Sequence, residues 1–131
     1  MGKQILYAVL ALPLLAFMAF VGYHKVFSSI ADLARYGAYT AHLPEWIGRI
    51  LGIGEMASAA ALLAGIMPGW RKGVTPAGIF IILSQILSSI IHVQHGERGA
   101  LPQNAMVALV AALLIWLCRG RSSVSAESTA P

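Results

Sequence analysis

Residues 50–70 read ILGIGEMASAAALLAGIMPGW, a run in which Glu55 is the only charged residue between Arg49 and Arg71. A run of that length and apolarity reads as a membrane-spanning helix, because about 20 residues rising about 1.5 Å each cross the hydrocarbon of a bilayer. A carboxylate in such a helix costs about 2.5–3.5 kcal/mol to insert, so it persists where it faces protein and has a partner. Glu55 is therefore the first place to look for function.

Three further apolar runs flank this one. The spans are read as 5–21, 47–67, 74–93 and 103–117, with Trp46, Trp70 and Trp116 and nearby Arg or Lys at their ends as interfacial anchors. Pro13 in the first span is tolerated as a kink, since neighbouring helices can satisfy the freed carbonyl. Hydrophobic residues make up 58% of the 131 and charged residues 11%, against about a quarter charged in a soluble domain. The fold class expected is all-α: a polytopic membrane four-helix bundle forming one domain over 1–121, followed by a disordered polar tail over 122–131. No internal repeat is visible.

The beginning, Met1-Gly-Lys-Gln before the apolar stretch from Ile5 to Val21, has the layout of a secretory signal. Its core is longer than a signal core and no small-residue cleavage site follows, so it reads as a retained span. Four spans put both termini on one side of the lipid bilayer. Lys3, Arg71, Lys72, Arg119 and Arg121 fall on that side, and Lys25, Arg35, Arg49 and Arg98 on the other; the positive-inside rule then favours cytoplasmic termini. The segment from Ser28 to Glu45, with Tyr36, Tyr39, His42 and Pro44, suits an interfacial loop or short amphipathic helix.

Composition excludes several classes of function. The net charge of +4 comes from basic residues placed singly or in pairs at span ends, not from a basic run interleaved with aromatics, so no nucleic-acid partner is expected. Cys118 is the only cysteine, which rules out an intrachain disulfide and dithiol chemistry. Ser84, Ser88 and Ser89 lack the G-x-S-x-G setting of a nucleophile, and there is no G-x-x-x-x-G-K phosphate loop. Glu-x-x-His pairs of carboxylate di-iron bundles are absent, so no metal is expected.

Helical spacing gathers the remaining polar residues. Gly48, Gly52, Glu55 and Ala59 share one small-residue face of the second span. On the third span Gln85, Ser88, Ser89 and His92 form a polar stripe that is best buried against protein. Glu55 lies roughly 12 Å inside the face opposite the termini, near the level of Gln85 and Ser88, which are its expected partners. His24 and His92 arrive near the same face. The spacings thus imply a polar pocket opening away from the termini.

Each of these residues has a plain alternative role. Glu55 suits either a bundle-locking hydrogen bond or a ligand-contacting, proton-carrying carboxyl. His92 and His95, near a helix end, suit water-facing anchors as well as site residues. Lys25 reads most simply as a snorkelling anchor, with a charge pair or a ligand contact as the other role.

The end of the first span reads Gly22-Tyr-His-Lys25, the second opens with Gly52-Ile-Gly-Glu55, and between them stands Leu43-Pro-Glu-Trp46. Over about Phe20 to Leu117 this resembles the DoxX-like family of small four-span membrane proteins, whose outline is Gly-x-x-Lys ending the first span and Gly-x-x-Glu opening the second. The resemblance implies a bacterial cytoplasmic (inner) membrane protein. The family takes its name from a subunit associated with thiosulfate:quinone oxidoreduction, and some relatives are linked to thiol and oxidative-stress systems.

From these readings the expected function is an accessory subunit of membrane redox or quinone metabolism that binds a lipophilic ligand. Glu55 and His92 would exchange protons, and Gly22, His24, Lys25, Gly52, Gln85, Ser88 and Ser89 would form the ligand site. No intrinsic cofactor is expected, with quinone as the bound ligand. If the chain takes part in an enzyme, it does so as a quinone-linked oxidoreductase subunit whose electrons come from a membrane redox partner. The alternatives are a non-enzymatic scaffold or assembly factor, partnered or homo-oligomeric, and a small proton-coupled exporter.

Overall fold

In the computed structural model, which describes residues 1–119, every regular element is helical. The polar tail expected over 122–131 lies outside the described residues. Helix α1 covers Gly2–Phe27, α2 Ile30–Arg35, α3 Glu45–Ala64, α4 Val74–Gln94 and α5 Leu101–Arg119, with single-turn helices at Tyr39–His42, Pro68–Gly73 and Arg98–Ala100. Four segments, built on α1, α3, α4 and α5, are long and apolar enough to cross a membrane. Ile5, Val9, Ile50, Leu83, Ile90 and Leu109 are exposed on their outer faces, where an aqueous protein would carry charge and a bilayer offers hydrocarbon. The fold is an all-α membrane bundle.

Local chemistry explains where each helix stops. Ser29 caps α2, its hydroxyl accepting from the Asp32 amide at 3.1 Å, which satisfies one of the free N–H groups of the first turn. Gly37 and Gly96 are the two residues with positive φ among those described, at 69° and 73°. Both close Schellman turns: Ala38 N donates to Leu33 O, and Glu97 N donates to His92 O. Glycine adopts that left-handed conformation without a Cβ penalty. The turn at Gly37 brings Tyr39 back over the bundle, and the turn at Gly96 brings Glu97 back to α4.

The end of α1 is finished by a different helix. Arg49 Nη1 donates to the carbonyls of Lys25, Val26 and Ser28 at 2.7–2.8 Å, while its Nη2 donates to Glu45 Oε1 at 2.7 Å. A guanidinium at a helix C-terminus satisfies orphan carbonyls and complements the negative end of the dipole. This fixes the height of α1 against α3.

In the half that holds the start of α1 and the end of α5 the core is apolar. Tyr7, Ala11, Leu14 and Met18 recur at helical spacing on α1 and meet Leu62 of α3, Val74 and Ile81 of α4, and Leu114 of α5. The Tyr7 hydroxyl donates to Leu62 O at 2.9 Å. A glycine seam lies in the other half, between α1 and α3. A Cβ on Gly22 would stand 2.7 Å from Gly52 O, and one on Gly52 would stand 2.8 Å from Gly22 O and from Lys25 Cβ. Only glycine at both positions allows this approach.

Candidate functional site

One turn beyond the glycine seam, Gly22 is followed by Lys25 and Gly52 by Glu55. The two side chains meet: Lys25 Nζ donates to Glu55 Oε1 at 2.5 Å, with Glu55 0% and Lys25 6% exposed. Lys25 therefore does not snorkel to the surface. Arg49 already occupies the carbonyls at the end of α1, and Gly52 leaves room for the lysine stem to lie across α3. The Lys25 ammonium also stands 4.5 Å from the centre of the Tyr39 ring, a cation–π contact on its other side.

This pair forms part of the wall of a cavity of about 450 Å³. Phe17, Phe20 and Val21 of α1 and Leu33 supply apolar surface; Gln85, Ser88 and His92 of α4 and Asn104 of α5 supply polar surface. Tyr36 and Tyr39 come from the segment between α1 and α3 and lie across it as a roof. Phe20, Tyr36 and Gln103 are exposed and mark its rim.

The polar wall is internally bonded. Asn104 Nδ2 donates to Ser88 Oγ at 3.0 Å and to Ser89 Oγ at 3.2 Å. Gln85 Nε2 donates to Ser84 Oγ at 3.2 Å, and Ser84 Oγ to Ile81 O at 3.0 Å. Glu55 thus bonds Lys25 and neither Gln85 nor Ser88, the partners expected from depth. Depth along a span follows from residue counting, but the direction each helix face takes follows from the packing of α1 against α3.

At the mouth a carboxylate ties two segments together. His92 Nδ1 lies 2.8 Å from Glu97 Oε2, and His42 Nε2 lies 3.3 Å from Glu97 Oε1. The His42 and His95 rings stack at 3.7 Å. Glu97 therefore joins the roof segment to the α4–α5 corner. The hydrogen bond with His92 foremost, then that with His42, holds the Glu97 carboxyl below its ordinary range. Burial, seconded by the Glu55 carboxylate, holds the Tyr39 phenol above its own.

Of the residues singled out in the sequence, His24, Lys25, Glu55, Gln85, Ser88 and His92 line the cavity. His24 Nδ1 stands 2.8 Å from Ser28 Oγ. Gly22 and Gly52 do not line it; they set the helix separation behind the ion pair. Ser89 also stands behind the wall, as an acceptor for Asn104. Sequence reasoning placed Tyr39 only in an interfacial segment and missed Asn104 and Glu97. Asn104 stands beside Gln103 at the start of the α5 run, where the two amides read as the end of a span. Among the described residues no group of three or more His, Cys, Asp or Glu is placed to hold a metal ion.

Four membrane-crossing helices around a buried ion pair define a small multi-pass membrane protein. The profile of the DoxX-like family matches residues 9–115, and the chain belongs to that family. No curated protein and no solved structure matches it.

Proposed function

We propose that this protein binds a lipophilic molecule with a polar ring head, of the quinone class, in the cavity beside Lys25 and Glu55. In this reading it serves as an accessory subunit of membrane redox metabolism. The observation that carries the reading is the buried ion pair on a cavity wall. As glue alone it is a poor device, because a buried pair barely offsets its own desolvation and apolar residues of equal volume hold helices as well. Beside a cavity it has a use: a fixed cation and a proton-exchanging carboxyl at the depth of a membrane-dissolved head group. The apolar surface of Phe17, Phe20 and Leu33 suits the ring and tail.

Reduction of a quinone to a quinol takes two electrons and two protons. The electrons would come from a partner, since no residue here is a built-in electron carrier. Lys25 would stabilise negative charge on the head group, Glu55 would pass protons, and His92, on the same cavity wall, would relay them toward the mouth. The charge distribution of the loops supports cytoplasmic termini, and the family supports a bacterial cytoplasmic membrane.

Native mass spectrometry of gently extracted protein tests the reading. An isoprenoid quinone adduct that disappears in Glu55→Gln is the expected result. A stable protein partner with no small-molecule adduct in either form would overturn it in favour of a scaffold.

A further inference from the structure

Two buried oxygens of the cavity residues have no hydrogen-bond partner: Glu55 Oε2 and the Tyr39 hydroxyl. Tyr39 is 4% exposed and Glu55 fully enclosed. Buried polar atoms in folded proteins are almost always paired, so each orphan needs an explanation. The two differ in what they require. A carboxylate oxygen accepts only, and Oε1 already has the Lys25 ammonium, so Oε2 requires a donor. The phenol can donate or accept.

None of the donors of the wall is bonded to Oε2. Asn104 Nδ2 is committed to Ser88 and Ser89, and Gln85 Nε2 to Ser84. A molecule in the cavity that carries a donor supplies the missing bond. A ring carbonyl cannot serve, because it would bring a second acceptor up to a carboxylate. A ring hydroxyl can, and the aromatic surroundings of Phe17, Phe20 and Tyr39 favour a flat ring.

We infer that the cavity takes a hydroxylated aromatic head group, a hydroquinone or phenol, whose O–H donates to Glu55 Oε2 while its other side meets the Tyr39 hydroxyl. This rests on the lipophile-binding reading and deepens it: the reduced form of the ligand is the one the site holds. Oxidation state is then read as a donor against an acceptor at a single oxygen atom. A site that holds the reduced form draws it out of the membrane pool and releases the oxidised form.

The test uses the full-length protein in lipid nanodiscs with three matched short-tailed probes: a hydroquinone kept under reductant, its quinone, and its dimethyl ether. The expected result is a hydroquinone affinity about tenfold or more above the other two, the usual return from one hydrogen bond to a charged acceptor. Tyr39→Phe, which keeps the ring, should lower hydroquinone affinity by more than it lowers ether affinity. Glu55→Gln should erase the preference between hydroquinone and ether. Equal binding of all three probes, as expected if ordered water satisfies both oxygens, would overturn the inference while leaving a lipophile site standing. Tighter binding of the quinone would do the same. Binding of none would overturn both the inference and the reading it rests on.

Discussion

The same four helices build two different halves. Toward the start of α1 and the end of α5, Tyr7, Leu14, Leu62, Val74 and Leu114 close on one another, and the Tyr7 hydroxyl is bonded to the Leu62 carbonyl. Toward the other face, Lys25, Glu55, Gln85, Ser88, His92 and Asn104 are buried around a cavity of about 450 Å³, at which Glu55 Oε2 and the Tyr39 hydroxyl lack a partner. One half has its interior filled by side chains; the other is arranged around something other than itself. The packed half supplies stability that the half with the cavity can draw upon.

Substitutions in the two halves should differ in kind. The largest effect is expected from breaking the ion pair on one side only. Lys25→Ala or Glu55→Ala leaves an uncompensated charge and should cost about 3–5 kcal/mol, whereas the paired change Lys25→Met with Glu55→Leu should restore most of the loss. Thermal melts in detergent of the singles and the double decide this; a double no better than either single would show that charge pairing is not what the site needs. Next comes Leu62→Ala in the packed half, expected to cost about 2 kcal/mol or more by opening a void. It should leave probe affinity unchanged, so a lost probe would show that the halves are coupled.

Smaller effects sharpen the contrast. Tyr39→Phe should alter melting by well under the Leu62→Ala cost, since only an unpaired hydroxyl is removed, while it changes ligand affinity. The weakest effect lies at the mouth. The Glu97 carboxyl is held below its ordinary value, so its contribution is present above the usual carboxylate range and is lost as pH falls through its folded value. Protection against amide exchange across residues 28–44, corrected for the intrinsic rate at each pH, should therefore fall as pH drops below the usual carboxylate range. Glu97→Gln should give the lower protection already at neutral pH, with less change on acidification; a variant that keeps the full acid response would point to another carboxyl.

The spans were legible because each is an uninterrupted apolar run, and crossing a bilayer leaves a chain few other ways to satisfy its backbone. The site was legible only along the helix axis. Residue counting sets Glu55 level with Gln85, but which way each face turns depends on where the helices touch, and here Gly22 against Gly52 turns Glu55 toward α1. Lys25 at a span end looks like any anchor until Arg49 is seen occupying the carbonyls around it. Tyr39 reaches the cavity through a turn made by Gly37, and Glu97 reaches His92 through the turn at Gly96. Both belong to segments with no periodicity to read.

The contact between Gly22 and Gly52 has a consequence for inheritance. Each glycine stands one turn from its charged residue and against the other's backbone, so Gly22-x-x-Lys25 and Gly52-x-x-Glu55 are two pieces of one device divided between neighbouring helices. A lineage that enlarges one glycine displaces the opposite charge as well as its own, and repair requires a matching change on the other helix. Across the DoxX-like family the four positions should therefore covary as a block, and a graft into another helical pair should succeed only when both tetrapeptides are carried over together.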